Sequence, residues 1–218
     1  MNKNCGVLFD LDGVFYISNQ AIDGGQKAIN LLRKNDIPIR FLTNTTTKPR
    51  NVICDKLNKF GLEVYENEIF SASYIGINYL RSIGSPPCHL LIHENIYSDY
   101  AEFEMKNKKP EYVVIGDRGH VWNYDDMNQA FNYLKEGAKL IALHKGRFFQ
   151  TSDSLEIDIG AFVAGLEYSS GKQAISLGKP NPHFFQVALD DMSRKSEEVF
   201  MVGDDIVNDI WGAKNLGI

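Results

Sequence analysis

The chain has 218 residues, 44% of them hydrophobic, enough for a packed core in one large domain or two small ones. Its 28 acidic and 23 basic residues leave a formal net charge of −5, which argues against nucleic acid as the main partner. Asp10 and Asp12 arrive too early for a secretory h-region and no run of about 18 apolar residues follows, so the expectation is a cytoplasmic protein without a membrane partner.

Cys5, Cys54 and Cys88 are an odd number without metal-ligand spacing, as expected of unpaired thiols in a reducing compartment. The basic run Lys106, Lys108, Lys109 reads as a solvated loop before a strand, and the Asn44-Thr45-Thr46 sequon as a chance match.

In chain order, Gly6 to Phe9 is an apolar run that suits a strand buried on both faces and ends in Asp-Leu-Asp-Gly. A helix follows over residues 24–34, with Asp23 and Gln26 as its capping pair. A second strand, Ile37 to Leu42, closes on Thr43-Asn44 and leads to a helix with Val52, Ile53 and Leu57 inward that stops near Gly61. Ile69-Phe70 and a helix over 72–83 repeat the pattern. Ser-Ile-Gly-Ser-Pro-Pro, residues 82–87, then marks a domain junction.

Beyond it, strands are expected at 89–92, 112–115 and 139–143, with helices at 97–104, 126–136 and 161–168. Ala174 to Leu177 leads back through Gly178-Lys179-Pro180 to a helix at 182–189, a strand at 199–202 and a helix at 206–215. This alternation predicts an α/β protein: a Rossmann-like, doubly wound parallel sheet formed by residues 1–84 and 175–218, with a smaller α/β domain, 85–174, inserted. His89 and His93, four apart on a predicted strand, do not build a zinc face and read as structural.

Four elements fall at strand ends or a helix start: Asp10-Leu11-Asp12-Gly13, Thr43-Asn44, Gly178-Lys179-Pro180, and Gly203-Asp204-Asp205 with Asp209. In type and order they resemble the four motifs of the haloacid dehalogenase superfamily. The long insertion between the second and third resembles the C2 cap of the NagD-type subgroup. His144-Lys145-Gly146-Arg147-Phe148-Phe149 and Gly165-Leu166-Glu167-Tyr168 resemble the branch containing phospholysine phosphohistidine inorganic pyrophosphate phosphatase.

The residue types also make chemical sense on their own. Phosphate-ester hydrolysis in water is so slow that an enzyme must lower its barrier by roughly 20 kcal/mol. A hard cation such as Mg²⁺ takes oxygen ligands, which the carboxylates of Asp10 and Asp204 and the backbone carbonyl of Asp12 supply. Lys179 offsets the acidic cluster and holds a phosphate oxygen, with Thr43, Asn44 and nearby backbone groups as further phosphate contacts. Asp10 is the candidate nucleophile and Asp12 the candidate acid and base. Asp209 reads as an orienting partner of Lys179 or of a metal-bound water, with direct metal ligation as the alternative, and Asp205 as an orienting group or a helix cap. The resemblance implies that dehalogenases of the superfamily lack the second aspartate, so Asp12 favours phosphoryl transfer.

Lys145, Arg147 and Phe148 are the candidates for contact with the substrate's leaving group. The resemblance implies phosphoamino acids, pyrophosphate or small phosphorylated metabolites as substrates and a homodimer formed through the cap. It also implies a further strand and helix after Ile218, so a truncated C-terminus with an uncovered strand edge is expected. Two rivals stand beside this reading: a receiver-type domain phosphorylated on its aspartate, against which length and the insertion count, and a silent binding protein that kept the pocket.

Overall fold

Gly6 opens the first strand of a computed structural model that describes residues 5–105, 109–151 and 154–218. The elements run β1 (Gly6–Asp10), β2 (Tyr16–Ile17), β3 (Gln20–Ala21), α1 (Gly25–Lys34), β4 (Ile39–Thr43), α2 (Arg50–Lys59), β5 (Ile69–Ser71) and α3 (Ala72–Ser82). They continue with β6 (Cys88–Leu91), α4 (Tyr97–Tyr100), β7 (Tyr112–Ile115), α5 (Tyr124–Lys135), β8 (Lys139–Ala142), β9 (Phe148–Gln150) and β10 (Leu155–Ile157). Last come α6 (Gly160–Ser170), β11 (Ile175–Ser176), α7 (Pro182–Met192), β12 (Val199–Val202) and α8 (Gly212–Leu216).

Packing divides these elements into two compact units, one of Met1–Thr43, Arg50–Ser71 and Lys179–Ile218, the other of Asn44–Pro49 and Ala72–Gly178. In the first, four parallel strands lie in the order β12-β1-β4-β5. β1 is Gly-Val-Leu-Phe-Asp with all five residues buried, because a strand flanked by parallel neighbours is covered on both faces. Val7, Phe9, Phe41, Ile29, Ile53 and Leu57 share one core cluster. β12 forms one edge of this sheet and leaves Phe200 64% exposed.

Local chemistry departs from expectation at three places. Gly24, at φ 95°, precedes α1 without a side-chain cap, while Gln26 donates to Asn30 and accepts from the Glu63 amide at 2.7 Å each. Val52, expected inward, is 42% exposed, and α2 buries only Ile53 and Leu57, four apart on one face. The final helix opens as a π-helical turn, Ile206–Trp211, before α8.

The second unit has its own parallel sheet, β11-β8-β7-β6. β11, expected in the core sheet, instead pairs with β8 through Ile175 and Ile141. Val113, Ile115, Leu140 and Ala142 pack against Ala130 and Leu134 of α5 and Val163 and Leu166 of α6. The helix expected over 97–104 is only one α-turn, α4, followed by a 3₁₀ turn at Ala101–Phe103. That tightening puts Tyr100 and Phe103, three apart, on one fully buried face. β9 and β10 form a separate antiparallel hairpin in which Phe148 faces Ile157. Of the basic run, Lys106 and Lys108 lie outside the described residues; Lys109 pairs with Glu136 at 3.2 Å. No described helix is long and apolar enough to cross a membrane.

Candidate active site

Register decides which side chains meet. Phe9 pairs with Val202 and Asp10 with Leu42, so Asp10, Thr43 and the Gly203-Asp204 turn all leave the first sheet at the carboxyl ends of adjacent strands. Such ends are where open parallel sheets carry their ligands. Thr43 is buried at the end of β4; Asn44 belongs to the second unit.

Lys179 is the hub. Its ammonium donates to Asp10 Oδ1 at 2.5 Å and to Asp209 Oδ1 at 2.6 Å, and all three side chains are buried. Burial works against the charge on Lys179, but Asp10 and Asp209 more than offset it and raise its pKa. For Asp10, burial is the main cause and Asp209 adds to it, so the carboxyl is pushed up to about 6 although Lys179 pulls it down. Asp209 accepts from the Asp205 amide at 3.2 Å through its other oxygen.

Asp205 caps the π-helical turn. Its carboxylate accepts from the amides of Val207 and Asn208 at 2.8 and 2.9 Å. Burial opposes the charge, yet these hydrogen bonds hold its pKa below the ordinary carboxylate value. The cap and the turn return Asp209 beneath Gly203, where an added Cβ would stand 2.4 Å from Cβ of Asp209. Gly13 has a similar constraint: φ is +76°, and a Cβ there would lie 2.2 Å from Asp204 Oδ2.

Asp10, Asp204 and Asp209 can each offer a carboxylate oxygen, all within 4.8 Å of one another. Three hard oxygen donors beside one ammonium fit a small divalent cation such as Mg²⁺. Asp209, expected mainly to orient Lys179, does bind Lys179 and also stands in this cluster. The Asp12 carboxylate is not part of it; its backbone forms a β-bridge with Tyr16, and its side chain is exposed.

The three candidates for leaving-group contact lie in the second unit. Lys145 is tied to Glu167 at 2.8 Å, Arg147 stacks over the Phe148 ring at 5.9 Å, and Phe148 is 56% exposed. The Gly146 amide donates to His144 Nδ1 at 3.1 Å, which fixes the start of that loop. His93 serves as a cap, its Nδ1 accepting from the Asn95 amide.

Tyr16 escaped sequence reasoning. It is an aromatic in the loop after Asp-Leu-Asp-Gly, and that proximity to Asp12 is the signal that could have marked it. The residue is 6% exposed, and Lys56 Nζ stands 3.6 Å from the centroid of its ring.

Comparison with known proteins gives the family and the fold. Residues 7–106 match the family model described as haloacid dehalogenase-like hydrolase, and residues 176–218 match a HAD-hydrolase-like model. Phospholysine phosphohistidine inorganic pyrophosphate phosphatase of Xenopus laevis is 37% identical over 219 residues, covering 97% of this chain and 80% of that protein. The p-nitrophenyl phosphatase from Archaeoglobus fulgidus superposes with a TM-score of 0.90 at 26% identity, covering 98% of this chain and 84% of that one. NagD from E. coli K-12 superposes at 0.88 with 25% identity, covering 98% and 84%.

Proposed function

This chain belongs to the haloacid dehalogenase-like hydrolase family, and on that premise we propose that it is a divalent-cation-dependent phosphatase that works through an aspartyl-phosphate on Asp10. The observation that carries the proposal is the bridge from Lys179 to Asp10 and Asp209 beside a three-carboxylate cluster.

Asp10, Asp204 and Asp209, with the backbone carbonyl of Asp12, are the groups that would hold Mg²⁺. The bound cation would supply positive charge that lets a carboxylate approach a phosphoryl dianion. The rest is work for the chain's own groups. Lys179 holds one oxygen of Asp10 and so orients the other for attack. The new bond joins Asp10 to phosphorus while the ester bond breaks, and Asp12 gives its proton to the leaving oxygen. Water then attacks phosphorus, Asp12 takes back a proton, and Asp10 is released with inorganic phosphate. Lys179 and Thr43 are the phosphate-holding groups in this reading.

Small phosphoesters, phosphoramidates and pyrophosphate are the substrate class, supported by the names of the relatives. The inserted unit is read as a C2-type cap, with Lys145, Arg147 and Phe148 as its specificity residues. The exposed apolar hairpin of β9 and β10 supports a homodimer through that unit. A cytoplasmic location completes the reading. The test is a phosphatase screen over small phosphoesters, phosphoamino acids and pyrophosphate, with and without Mg²⁺. Turnover that needs Mg²⁺ and vanishes in Asp10→Asn is the expected result; turnover by Asp10→Asn at more than a few per cent of wild type overturns it.

A further inference from the structure

Asp12 has the most demanding task in that reaction, because its carboxyl must reach a leaving oxygen, yet it stands outside the Asp10, Asp204 and Asp209 cluster. What places it is the loop between β1 and β2. At one end Gly13 lies against the Asp204 carboxylate. At the other, Asp12 and Tyr16 form a β-bridge, and the Gly13 amide donates to the Tyr16 carbonyl at 2.8 Å. A further hydrogen bond, from the Phe15 amide to the Leu11 carbonyl at 2.9 Å, closes the same turn.

The Tyr16 end is itself anchored from α2. Lys56 Nζ sits 3.6 Å from the centroid of the ring and also donates to the Ser18 carbonyl at 3.0 Å, so one ammonium grips both the aromatic and the hairpin backbone. Phe60 packs on the ring at 5.7 Å. Burial, and then the charges of Asp12 and Asp10, raise the phenol's pKa, which accords with a ring set beside the carboxylates.

We infer that Tyr16, clamped by Lys56, is a positioning residue for Asp12: the ring anchors the loop that presents the acid to the leaving group. This rests on the role proposed for Asp12. A core aromatic also supports the fold, so the test must separate placement of the acid from general damage.

Leaving-group dependence does so. A p-nitrophenolate leaves without needing a proton, whereas a primary alkoxide requires one, and kcat/KM reports only the steps up to transfer of phosphorus to Asp10. With Mg²⁺ present, kcat/KM is measured on p-nitrophenyl phosphate and on a primary alkyl phosphate for wild type, Tyr16→Leu, Tyr16→Phe, Lys56→Met and Asp12→Asn. Circular dichroism checks each fold. Tyr16→Leu is expected to lose roughly tenfold more on the alkyl ester than on the aryl ester. Lys56→Met should lose selectivity in the same direction, and Tyr16→Phe, which keeps the ring, should stay within about threefold of the wild-type ratio. Equal losses on both esters in Tyr16→Leu, while Asp12→Asn loses selectively, overturn the positioning role alone. An unchanged ratio in Asp12→Asn, or a wild type inert on both esters, overturns the role of Asp12 itself and this inference with it.

Discussion

Lys179 and Asp209, thirty positions apart, share a 2.6 Å hydrogen bond with both side chains almost wholly withdrawn from solvent. A buried ammonium held by two carboxylates is an arrangement in which the partners are unequal. Removing the single cation strands two anions, whereas removing one anion leaves the cation still paired.

Lys179→Met is therefore expected to destabilise the protein by about 3–5 kcal/mol, the usual cost of breaking a buried ion pair from one side. Urea unfolding at pH 7.5 checks this. A midpoint within error of wild type would mean that water reaches Asp10 and Asp209 freely.

Asp10→Asn should behave in the opposite way. The Asp10 carboxyl has a folded pKa of about 6 against an ordinary 3.8, so the fold binds its proton more tightly than the unfolded chain does. That contribution to stability is fully present below 3.8 and is lost as pH rises through about 6. At neutral pH the neutral amide should then be as stable as wild type or more so, by on the order of 1 kcal/mol. Thermal melts of both proteins between pH 4 and pH 8 give the measurement; a lower melting temperature for Asp10→Asn at pH 7.5 contradicts it.

The same shift predicts the acid limb of activity. As the proposed nucleophile, Asp10 would attack only when ionised, so kcat/KM should fall as pH drops through about 6 when the cation is limiting. A bound cation favours the charged form, so the limb should move to lower pH as Mg²⁺ is raised. A pH–rate profile at two Mg²⁺ concentrations tests both the position and the direction of movement.

Cation binding can be read without turnover. A ligand held by the folded state alone at 100 times its Kd adds about 2.7 kcal/mol of stability. Mg²⁺ should raise the melting temperature of wild type and do so much less for Asp204→Asn, because Asp204 is the exposed member of the three-carboxylate cluster. Equal shifts in the two proteins would remove Asp204 from the site.

Gly203→Ala tests packing rather than charge. The new methyl would overlap Asp209 at 2.4 Å, in backbone-near atoms that cannot swing aside. Overpacking of this kind costs about 1–3 kcal/mol. Because the displaced group holds Lys179, activity on p-nitrophenyl phosphate should fall by at least the tenfold that about 1.4 kcal/mol represents.

Much of this protein was legible in linear order. Apolar runs such as Gly-Val-Leu-Phe ending in an aspartate mark strands whose polar ends carry chemistry, since a strand covered on both faces can place charge only at its tip. The ordered motifs around Asp10, Lys179 and Asp204 pointed to the family for the same reason. Less could be read for elements whose conformation depends on distant partners. β11 joins β8 because Ile175 finds a place beside Ile141, and nothing within its own two residues announces that choice. Val52 and Ile53 are neighbours of similar hydrophobicity, and only packing decided which was buried.

Residue types, their order and their position after apolar runs were enough to single out Asp10, Asp12, Lys179 and Asp204 as candidate chemical groups. Tertiary structure alone decided that Lys179 grips two carboxylates, that Asp209 joins the cluster through a π-helical turn, and that Tyr16 and Lys56 brace the loop of Asp12. The physical reason is range: the strand pattern is written in neighbours a few residues apart, whereas charge balance and loop support are set by ångström distances between residues far apart in the chain.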